Sequence, residues 1–307
     1  MSWRLTELPD QTDRTTLVTG CTVGGLGFHV ALELARRGGR VVLAGRSVDR
    51  LAGAEAAIHD ELPDAAVDRL VVDLADLTSV RLAATEAGRL GPLHALVNNA
   101  GVMATPYART VDGFEQQLAT NHLGPFLLTG LLLPQLVESG DGRVVTVSSQ
   151  MHRVARAAPL GDPRHSGGRY SRWPAYAATK LANLLFTFEL ERRLRVADRP
   201  VKALAAHPGY SGTHLVANGR FGRSSGGVAS IVDAASRAIG QAPAMGALPV
   251  LMATTADLPG GTYCGPGGPG EMRGLPRVVG TSRQARDEHD QRALWEVSER
   301  AVGITYP

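Results

Sequence analysis

Short apolar segments alternate with longer segments of helical periodicity along most of the chain. The short segments are rich in β-branched residues and lack polar–apolar alternation, which is typical of strands buried on both faces of a sheet. The predicted strands are Thr15–Thr19, Arg40–Ala44, Val67–Val72, a strand ending at Ala95–Val97, Arg143–Val147 and Val201–Ala206. The predicted helices are Gly25–Gly38, Val48–Glu61, one between the third and fourth strands, Val111–Glu138 and Ala175–Val196.

Strands that alternate with helices predict a parallel sheet, because a parallel connection needs a crossover segment. We expect an α/β fold: a doubly wound, Rossmann-like parallel sheet with helices on both faces. A last short strand is expected near Gly261–Cys264, and Ala293–Val302 reads as a short amphipathic helix. The pattern shows no second core, so a single domain is predicted over residues 1–307. Insertions are expected near 150–174 and 211–246, and a C-terminal extension at 266–307.

Composition and charge narrow the function classes. The chain has 307 residues, 44% of them hydrophobic, and a net charge of +3 from dispersed basic residues, which argues against nucleic-acid binding by charge. Cys21 and Cys264 have no metal-like spacing and imply no disulfide framework. No apolar run reaches eighteen residues, and residues 1–13 lack a signal-peptide core. A cytoplasmic protein without a membrane span or a metal site is expected.

A glycine-rich loop, Thr19–Gly27, joins the first predicted strand to the first predicted helix. Glycine lets the backbone approach a phosphate closely, and a helix N-terminus attracts anions. The predicted pyrophosphate contacts are Gly20, Thr22, Gly25, Leu26 and Gly27. An ordinary glycine turn is the alternative for this loop. Cys21 within it is either a reactive thiol or simply a small loop residue.

The end of the second strand indicates which dinucleotide is bound. A carboxylate there would accept hydrogen bonds from the ribose hydroxyls of NAD, but the chain has Arg46 and Ser47 instead. An arginine can hold a 2′-phosphate, so NADP(H) is predicted, with a solvated surface arginine as the alternative. Asp73 closes the third strand and is a candidate acceptor for the adenine amine, with the backbone N–H of Leu74 beside it.

Tyr176 and Lys180 are the candidate reacting groups. Their spacing of four residues places both side chains on one face of a helix. A nearby ammonium favours the phenolate, so we expect the lysine to lower the pKa of the tyrosine and let it exchange protons with a carbonyl or an alcohol. The chain has two lysines, Lys180 and Lys202, among 32 basic residues, so a surface pair on this helix would more often contain arginine.

With these motifs the chain resembles the short-chain dehydrogenase/reductase family. The glycine loop is similar to the family's T-G-x-x-x-G-x-G loop with one extra residue, and Tyr176 to Lys180 forms its Y-x-x-x-K motif. The chain is most like the branch of retinol dehydrogenases, WW-domain-containing oxidoreductases and protochlorophyllide reductases. The segments that suggest this branch are Tyr170–Tyr176, Lys180–Phe186 and Ala206–Tyr210.

The resemblance implies further site residues. Ser149, with Ser148 as the fallback, would polarise the substrate carbonyl, and Asn121 would hold a water that links the lysine to solvent. Pro208, Gly209 and Thr213 would hold the nicotinamide carboxamide. Three residues of the N-N-A-G segment would border the adenine ribose. They are Asn98, Ala100 and Gly101. For Asn98, the first of them, a purely structural role is equally open.

The leading hypothesis is therefore an NADP(H)-dependent reductase of ketones or aldehydes, or the reverse alcohol dehydrogenase. Its small-molecule substrate is expected to be lipophilic, and a homodimer or homotetramer is possible. One alternative is a non-redox enzyme on the same fold, such as an epimerase, cyclase or dehydratase, because the extra loop residue could displace the pyrophosphate. Another is a non-catalytic NADP-binding protein.

Overall fold

The computed structural model describes residues 2–164, 170–210 and 241–307, and within them eight strands form one sheet with the order β3-β2-β1-β4-β5-β6-β7-β8. Neighbouring strands are parallel except for the last pair, in which β8 runs antiparallel to β7. The strands are β1 (Thr15–Thr19), β2 (Arg40–Gly45), β3 (Val67–Val71), β4 (Ala95–Asn98), β5 (Gly142–Val147), β6 (Val201–Ala206), β7 (Tyr263–Pro266) and β8 (Pro276–Val278). The predicted doubly wound α/β fold is confirmed.

Helices cover both faces of this sheet. The helices are α1 (Leu26–Arg36), α2 (Val48–Glu61), α3 (Leu77–Ala87), α4 (Gly124–Glu138), α5 (Arg172–Val196), α6 (Pro243–Thr255) and α7 (Glu288–Val302). One apolar core joins α1, α2 and α6 to the sheet, and another joins α3, α4 and α5 to the opposite face. Among the described helices, none combines the length and the apolar character that a membrane crossing requires.

The C-terminal helix α7 packs on the outer side of α4 and α5. The ring of Trp295 lies 4.9 Å from that of Phe126 and 5.9 Å from that of Phe186, measured between centroids. Tyr306, just after α7, donates its hydroxyl to the backbone carbonyl of Phe126 at 2.8 Å. A Cβ atom at Gly130 would lie 2.5 Å from the Tyr306 ring, so the glycine is what allows this close approach.

The helix predicted at Val111–Glu138 begins five residues later than expected. Gly113 has φ +83°, and the Glu115 carboxylate accepts the N–H groups of Gln117 and Leu118, so the chain turns there before the helix begins. A single turn of α-helix is followed by a π-helical turn over Ala119–Leu123 and then by α4. The prediction of helix over 111–115 was therefore wrong.

The C-terminal third departs further from the prediction. The last parallel strand is shifted by two residues from the expected Gly261–Cys264, and β8 was not predicted. The amphipathic helix expected at Ala293–Val302 begins five residues earlier, at Glu288, where Asp287 caps its first turn. Helix α6 begins within the predicted insertion 211–246. The first thirty residues of that insertion, and with them Thr213, lie outside the described residues.

Candidate active site

The loops that follow β1, β4, β5 and β6 meet at the carboxyl edge of the sheet. In open α/β sheets ligands bind at this edge, where connections diverge to opposite faces. The four loops carry nearly all the residues singled out from the sequence, apart from those on α5 and those after β2 and β3.

The glycine loop after β1 leads directly into the N-terminus of α1. Gly20 has φ +78°, and a Cβ atom there would lie 2.8 Å from the Cα atom of Ala100. A Cβ atom at Gly27 would lie 2.9 Å from the carbonyl oxygen of Gly20, so these two glycines are in close contact. Gly25 caps α1 without any side-chain hydrogen bond, which leaves backbone N–H groups directed out of the helix. This arrangement is typical of an anion site.

The extra residue of the loop is taken up by a tight turn. The N–H of Gly25 donates to the carbonyl of Thr22 at 2.7 Å, and Gly24 has φ +72°. The contact between Gly20 and Gly27 is kept, so the insertion does not separate the two ends of the loop. Leu26, predicted as a pyrophosphate contact, is the first residue of α1 and its side chain is buried.

Cys21 is not a reactive thiol in this structure. Its side chain is buried, its Sγ donates to the carbonyl of Val18 at 3.2 Å, and burial raises the pKa of the thiol to about 12. Of the two interpretations of Cys21, the structure supports the small loop residue.

Thr19 and Asn99 tie the glycine loop to the end of β4, and sequence reasoning assigned neither a role. The Thr19 hydroxyl accepts the N–H groups of Asn99 and Ala100, both at 3.0 Å. The Asn99 amide donates to the carbonyl of Thr19 at 2.6 Å. Each of them is a polar residue at the end of a buried strand, Thr19 at the end of β1 and Asn99 just after β4, and this position was the signal that could have identified them.

Asn98 points away from this loop. Its side chain is buried and donates to the hydroxyl of Thr129 in α4 at 3.0 Å. The amide therefore joins the sheet to a helix, which is the structural role that the sequence left open. A buried amide that faces α4 supports this structural role, and the prediction of Asn98 as a cofactor contact stays a prediction.

Asn121 lies in the π-helical turn and grips the segment after β4. Its amide accepts the N–H of Val102 at 2.7 Å and donates to the carbonyl of the same residue at 2.9 Å. It also donates to the Thr179 hydroxyl at 3.0 Å, and that hydroxyl donates to the carbonyl of Tyr176. A Cβ atom at Gly101 would lie 3.1 Å from the Asn121 amide oxygen and 3.6 Å from the Lys180 ammonium. These contacts bring Asn121 beside the Y-x-x-x-K motif.

Tyr176 and Lys180 lie one turn apart on α5, and both side chains are buried. The Lys180 ammonium is 5.7 Å from the centroid of the Tyr176 ring and donates to the carbonyl of Val147 at 3.0 Å. Burial lowers the pKa of Lys180 to about 8. Burial also raises the pKa of Tyr176 to about 12, while the side chain of Ser149 opposes this shift.

The pKa of Tyr176 is raised, whereas the sequence led us to expect that the lysine would lower it. The sequence argument weighed the charge of a neighbouring ammonium but not the loss of water around the phenol. Desolvation is the larger effect at Tyr176, because it disfavours the charged phenolate. The phenol therefore holds its proton at neutral pH.

The structure distinguishes the two serines after β5. Ser148 is buried and donates to the carbonyl of Lys180 at 2.7 Å, so its hydroxyl is used within the fold. Ser149 is half-buried, caps the short turn Gln150–Val154 and faces the Tyr176 phenol. This placement favours Ser149 over Ser148 as the polarising hydroxyl.

The loop after β6 carries His207, Pro208 and Gly209. Gly209 has φ +70°, and its Cβ atom would lie 2.4 Å from the carbonyl oxygen of Met272, so no other residue fits. The carbonyl of Pro208 accepts the side-chain amide of Gln241 at 2.6 Å. This loop therefore has a fixed course at the carboxyl edge of the sheet.

His207 and His122 are both buried and hydrogen-bonded, so neither is placed to act as a base. His207 is buried and bonded through both ring nitrogens, to Glu271 and to the N–H of Gly209. His122 is bonded to the Ser298 hydroxyl at 2.8 Å, and burial lowers the pKa of its ring to about 3.

The residues predicted to hold the adenine end lie after β2 and β3. These strands are neighbours, and the N–H of Val72 donates to the carbonyl of Gly45 at 2.9 Å. Arg46 is exposed at this edge, and Ser47 accepts the N–H of Arg50 as the cap of α2. The Asp73 carboxylate accepts the N–H of Ala75 at 2.9 Å. Leu74, which follows it, has a buried side chain.

Comparisons with known proteins agree with this arrangement. A family model described as short chain dehydrogenase matches residues 14–160. Polyprenol dehydrogenase of Mus musculus is 39% identical over 308 residues, which is 96% of this chain and 86% of that protein. Retinol dehydrogenase 13 of Homo sapiens is 36% identical over 303 residues, again 96% of this chain and 86% of that protein.

Solved structures show the same fold. A putative uncharacterized protein from Mycobacterium paratuberculosis superimposes with a TM-score of 0.82 and 41% identity, over 100% of both chains. A putative NAD(P)-dependent gluconate 5-dehydrogenase from Beutenbergia cavernae, with bound NADP at low occupancy, gives a TM-score of 0.61 and 26% identity. That match covers 80% of this chain and 91% of the other.

Proposed function

Because this chain belongs to the short-chain dehydrogenase/reductase family and is an oxidoreductase of its retinol dehydrogenase-like branch, we propose that it uses NADP(H) to reduce a carbonyl group of a lipophilic small molecule, or to oxidise the matching alcohol. The observation that carries the proposal is the meeting of Ser149, Tyr176 and Lys180 beside the glycine loop.

The residues of the loop fit a dinucleotide. Gly20 and Gly27 leave no room for a side chain, so the loop packs closely on itself and on the segment after β4. The uncapped N-terminus of α1 supplies N–H groups for a pyrophosphate. The non-redox alternative depended on a displaced pyrophosphate, and the tight turn from Thr22 to Gly25 removes that reason.

Proton transfer is the part of the reaction that this chain's own side chains perform. When bound, the reduced nicotinamide supplies the hydride to the carbonyl carbon. In the proposed reduction the Ser149 hydroxyl donates to the carbonyl oxygen, and the Tyr176 phenol gives its proton to that oxygen as negative charge develops. The raised pKa of Tyr176 keeps this proton in place before the reaction.

Lys180 is the proposed source of the replacement proton. With a pKa near 8, its side chain exchanges protons at neutral pH more readily than an ordinary lysine. Asn121 is held by Val102 and by Thr179, so it keeps the neighbourhood of the ammonium in one geometry. We retain Asn121 as the residue that holds the proton path, as the family resemblance implies.

An exposed aromatic side chain supports a lipophilic substrate. Trp173 is 48% exposed and lies one turn before Tyr176 on α5, with its ring edge-on to the phenol ring at 6.4 Å. An apolar surface beside the reacting hydroxyl favours a substrate with an apolar body. The relatives named for polyprenol and retinol carry the names of lipophilic alcohols.

The direct test is to follow the absorbance of the reduced nicotinamide with NADPH and NADH against a panel of carbonyl compounds. The panel pairs long-chain and isoprenoid aldehydes and ketones with short hydrophilic ones. We expect NADPH consumption with the lipophilic members and little with their hydrophilic counterparts. Consumption limited to hydrophilic carbonyls, or none with any member, would contradict the proposal.

Reversing the charge at residue 46 should change the cofactor preference. Arg46→Asp removes the proposed partner of the 2′-phosphate and adds a repelling carboxylate. Since hydrogen bonds to charged groups contribute roughly 1.5–3 kcal/mol, NADPH should bind about 10- to 100-fold more weakly. NADH, which lacks this phosphate, should bind within about threefold of its original affinity. Dissociation constants for both cofactors, measured by fluorescence titration, give the answer.

The matched control is Arg89→Asp, which makes the same charge change at an exposed arginine after α3. It should leave both dissociation constants unchanged. Equal weakening of NADPH and NADH binding in Arg46→Asp would exclude the NADP assignment of this residue.

A further inference from the structure

Glu271 lies outside every motif that marks the site, in the short turn Pro269–Glu271 between β7 and β8. Its backbone has φ +55°, a left-handed conformation that costs a residue with a side chain about 1–2 kcal/mol. Such strain persists where other contacts compensate for it, and it is common at functional sites. The contacts of the Glu271 carboxylate are therefore informative.

One set of contacts reaches the loop after β6. The Glu271 carboxylate lies 3.1 Å from Nε2 of His207, whose ring is completely buried. The N–H of Gly209 donates to Nδ1 of the same ring at 3.2 Å. A nitrogen that accepts carries no proton, so the neutral ring has its proton on Nε2 and donates it to the carboxylate. Glu271 thus selects the histidine tautomer that supports Gly209.

A second set of contacts reaches the turn after β5. The side-chain amide of Gln150 donates to the Glu271 carboxylate, and the Arg153 guanidinium donates to it at 3.2 Å. Arg153 also donates to the side-chain oxygen of Gln150 at 2.8 Å. Gln150 directly follows Ser149, so this carboxylate anchors the turn that aims the serine hydroxyl.

The buried His207 ring has one acidic neighbour and two basic ones. Glu271 raises its pKa, Arg153 and His152 are basic neighbours, and the Tyr263 ring lies 5.2 Å away between centroids. Burial is the largest influence and holds the pKa of His207 below its ordinary range. A second proton on the ring would have to enter at Nδ1, where it would break the bond from the Gly209 N–H.

We propose that Glu271 is a positioning residue for hydride transfer. Its carboxylate contacts both the turn after Ser149 and the loop that contains Pro208 and Gly209. It therefore sets the distance between this turn and this loop. This rests on the proposed function, in which Ser149 polarises the carbonyl and the Pro208–Gly209 loop borders the nicotinamide. The recorded contacts of the Glu271 carboxylate are with His207, Gln150 and Arg153, so it acts through these residues.

The test compares Glu271→Ala and Glu271→Gln with Glu296→Gln, a change at an exposed glutamate of α7. Since a misplacement of about 1 Å can cost 10²-fold in rate, we expect kcat to fall about 10- to 100-fold in Glu271→Ala. The KM for NADPH should change less than about threefold. Glu271→Gln can still accept from His207, so its kcat should lie between those of Glu271→Ala and the unchanged protein. Values of kcat within twofold of the original in Glu271→Ala would overturn the proposal.

A measurement on the ligand-free protein separates this inference from the proposed function. Nitrogen-15 chemical shifts of His207 should show the proton on Nε2. Without the carboxylate charge, the pKa of His207 in Glu271→Gln should be lower still, because Glu271 is the group that raises it. A proton on Nδ1, or an unchanged histidine titration in Glu271→Gln, would overturn the role of Glu271 even in a protein that reduces no carbonyl in the panel.

Discussion

Tyr176→Phe is expected to lower kcat about 10³-fold, within the range that general acid–base catalysis contributes. The change removes the proton donor and its interaction with Ser149 but keeps the ring and its burial. In the proposed binding mode the glycine loop holds the cofactor. The dissociation constant of NADPH should therefore change less than about threefold, because a lone hydroxyl contributes little to binding. Steady-state turnover and a fluorescence titration with NADPH measure the two quantities.

The matched control is Tyr306→Phe. It removes another buried tyrosine hydroxyl, which donates to the carbonyl of Phe126 on the far side of α4. This variant should lose some stability and retain its kcat. If Tyr176→Phe kept more than about a tenth of the turnover, the assignment of Tyr176 as the proton donor would fall.

Among the proposed variants, Trp295→Ala should cause the largest decrease in the free energy of unfolding. The side chain is 1% exposed and packs against Phe126, Phe186 and Tyr306, with the Arg193 guanidinium 4.5 Å above its ring. Truncation of a buried tryptophan leaves a cavity, and the free energy of unfolding should fall by about 3–5 kcal/mol. Urea denaturation followed by circular dichroism measures it.

Trp173→Ala is the control for this variant, because it truncates the same residue type where about half of the side chain is exposed. Its effect on the free energy of unfolding should stay below about 1 kcal/mol, as is usual for surface positions. A loss below about 1 kcal/mol in Trp295→Ala would contradict the role given to Trp295.

Local signals account for the parts of the fold that were predicted. The buried parallel strand Thr15–Thr19 is a short run of mainly β-branched residues, and Val201–Ala206 is a short run that is mainly apolar. Both are bounded by polar or glycine-containing turns, so their bounds follow from neighbouring residues. The Y-x-x-x-K motif is equally local, since helix geometry alone places Tyr176 and Lys180 on one face. In both cases residues close in the sequence carry the information.

The failures have a different physical origin. The helix start near Gly113 was missed because its positive φ and the cap at Glu115 interrupt an apolar pattern that otherwise continues. Which of two adjacent asparagines faces the loop depends on the partner that each one meets across the fold: Thr129 for Asn98, Thr19 for Asn99.

Long-range contacts were equally hidden. The Glu271 carboxylate meets His207, 64 residues away, and Gln150, 121 residues away. Whether the pKa of Tyr176 is raised or lowered depends on how completely the phenol is buried. This burial cannot be predicted from the spacing of residues in a motif. Sequence patterns located the reacting groups but not the neighbours that tune them.

The position of α7 bears on how this protein meets other copies of itself. Helices α4 and α5 carry apolar side chains on several sides, and such faces are where copies of a chain often associate. Their outer side is already covered by the chain's own last twenty residues, through Trp295 and Tyr306. A second molecule that contacts Phe126 or Phe186 would first have to displace α7, so these two rings take no part in a contact between folded copies.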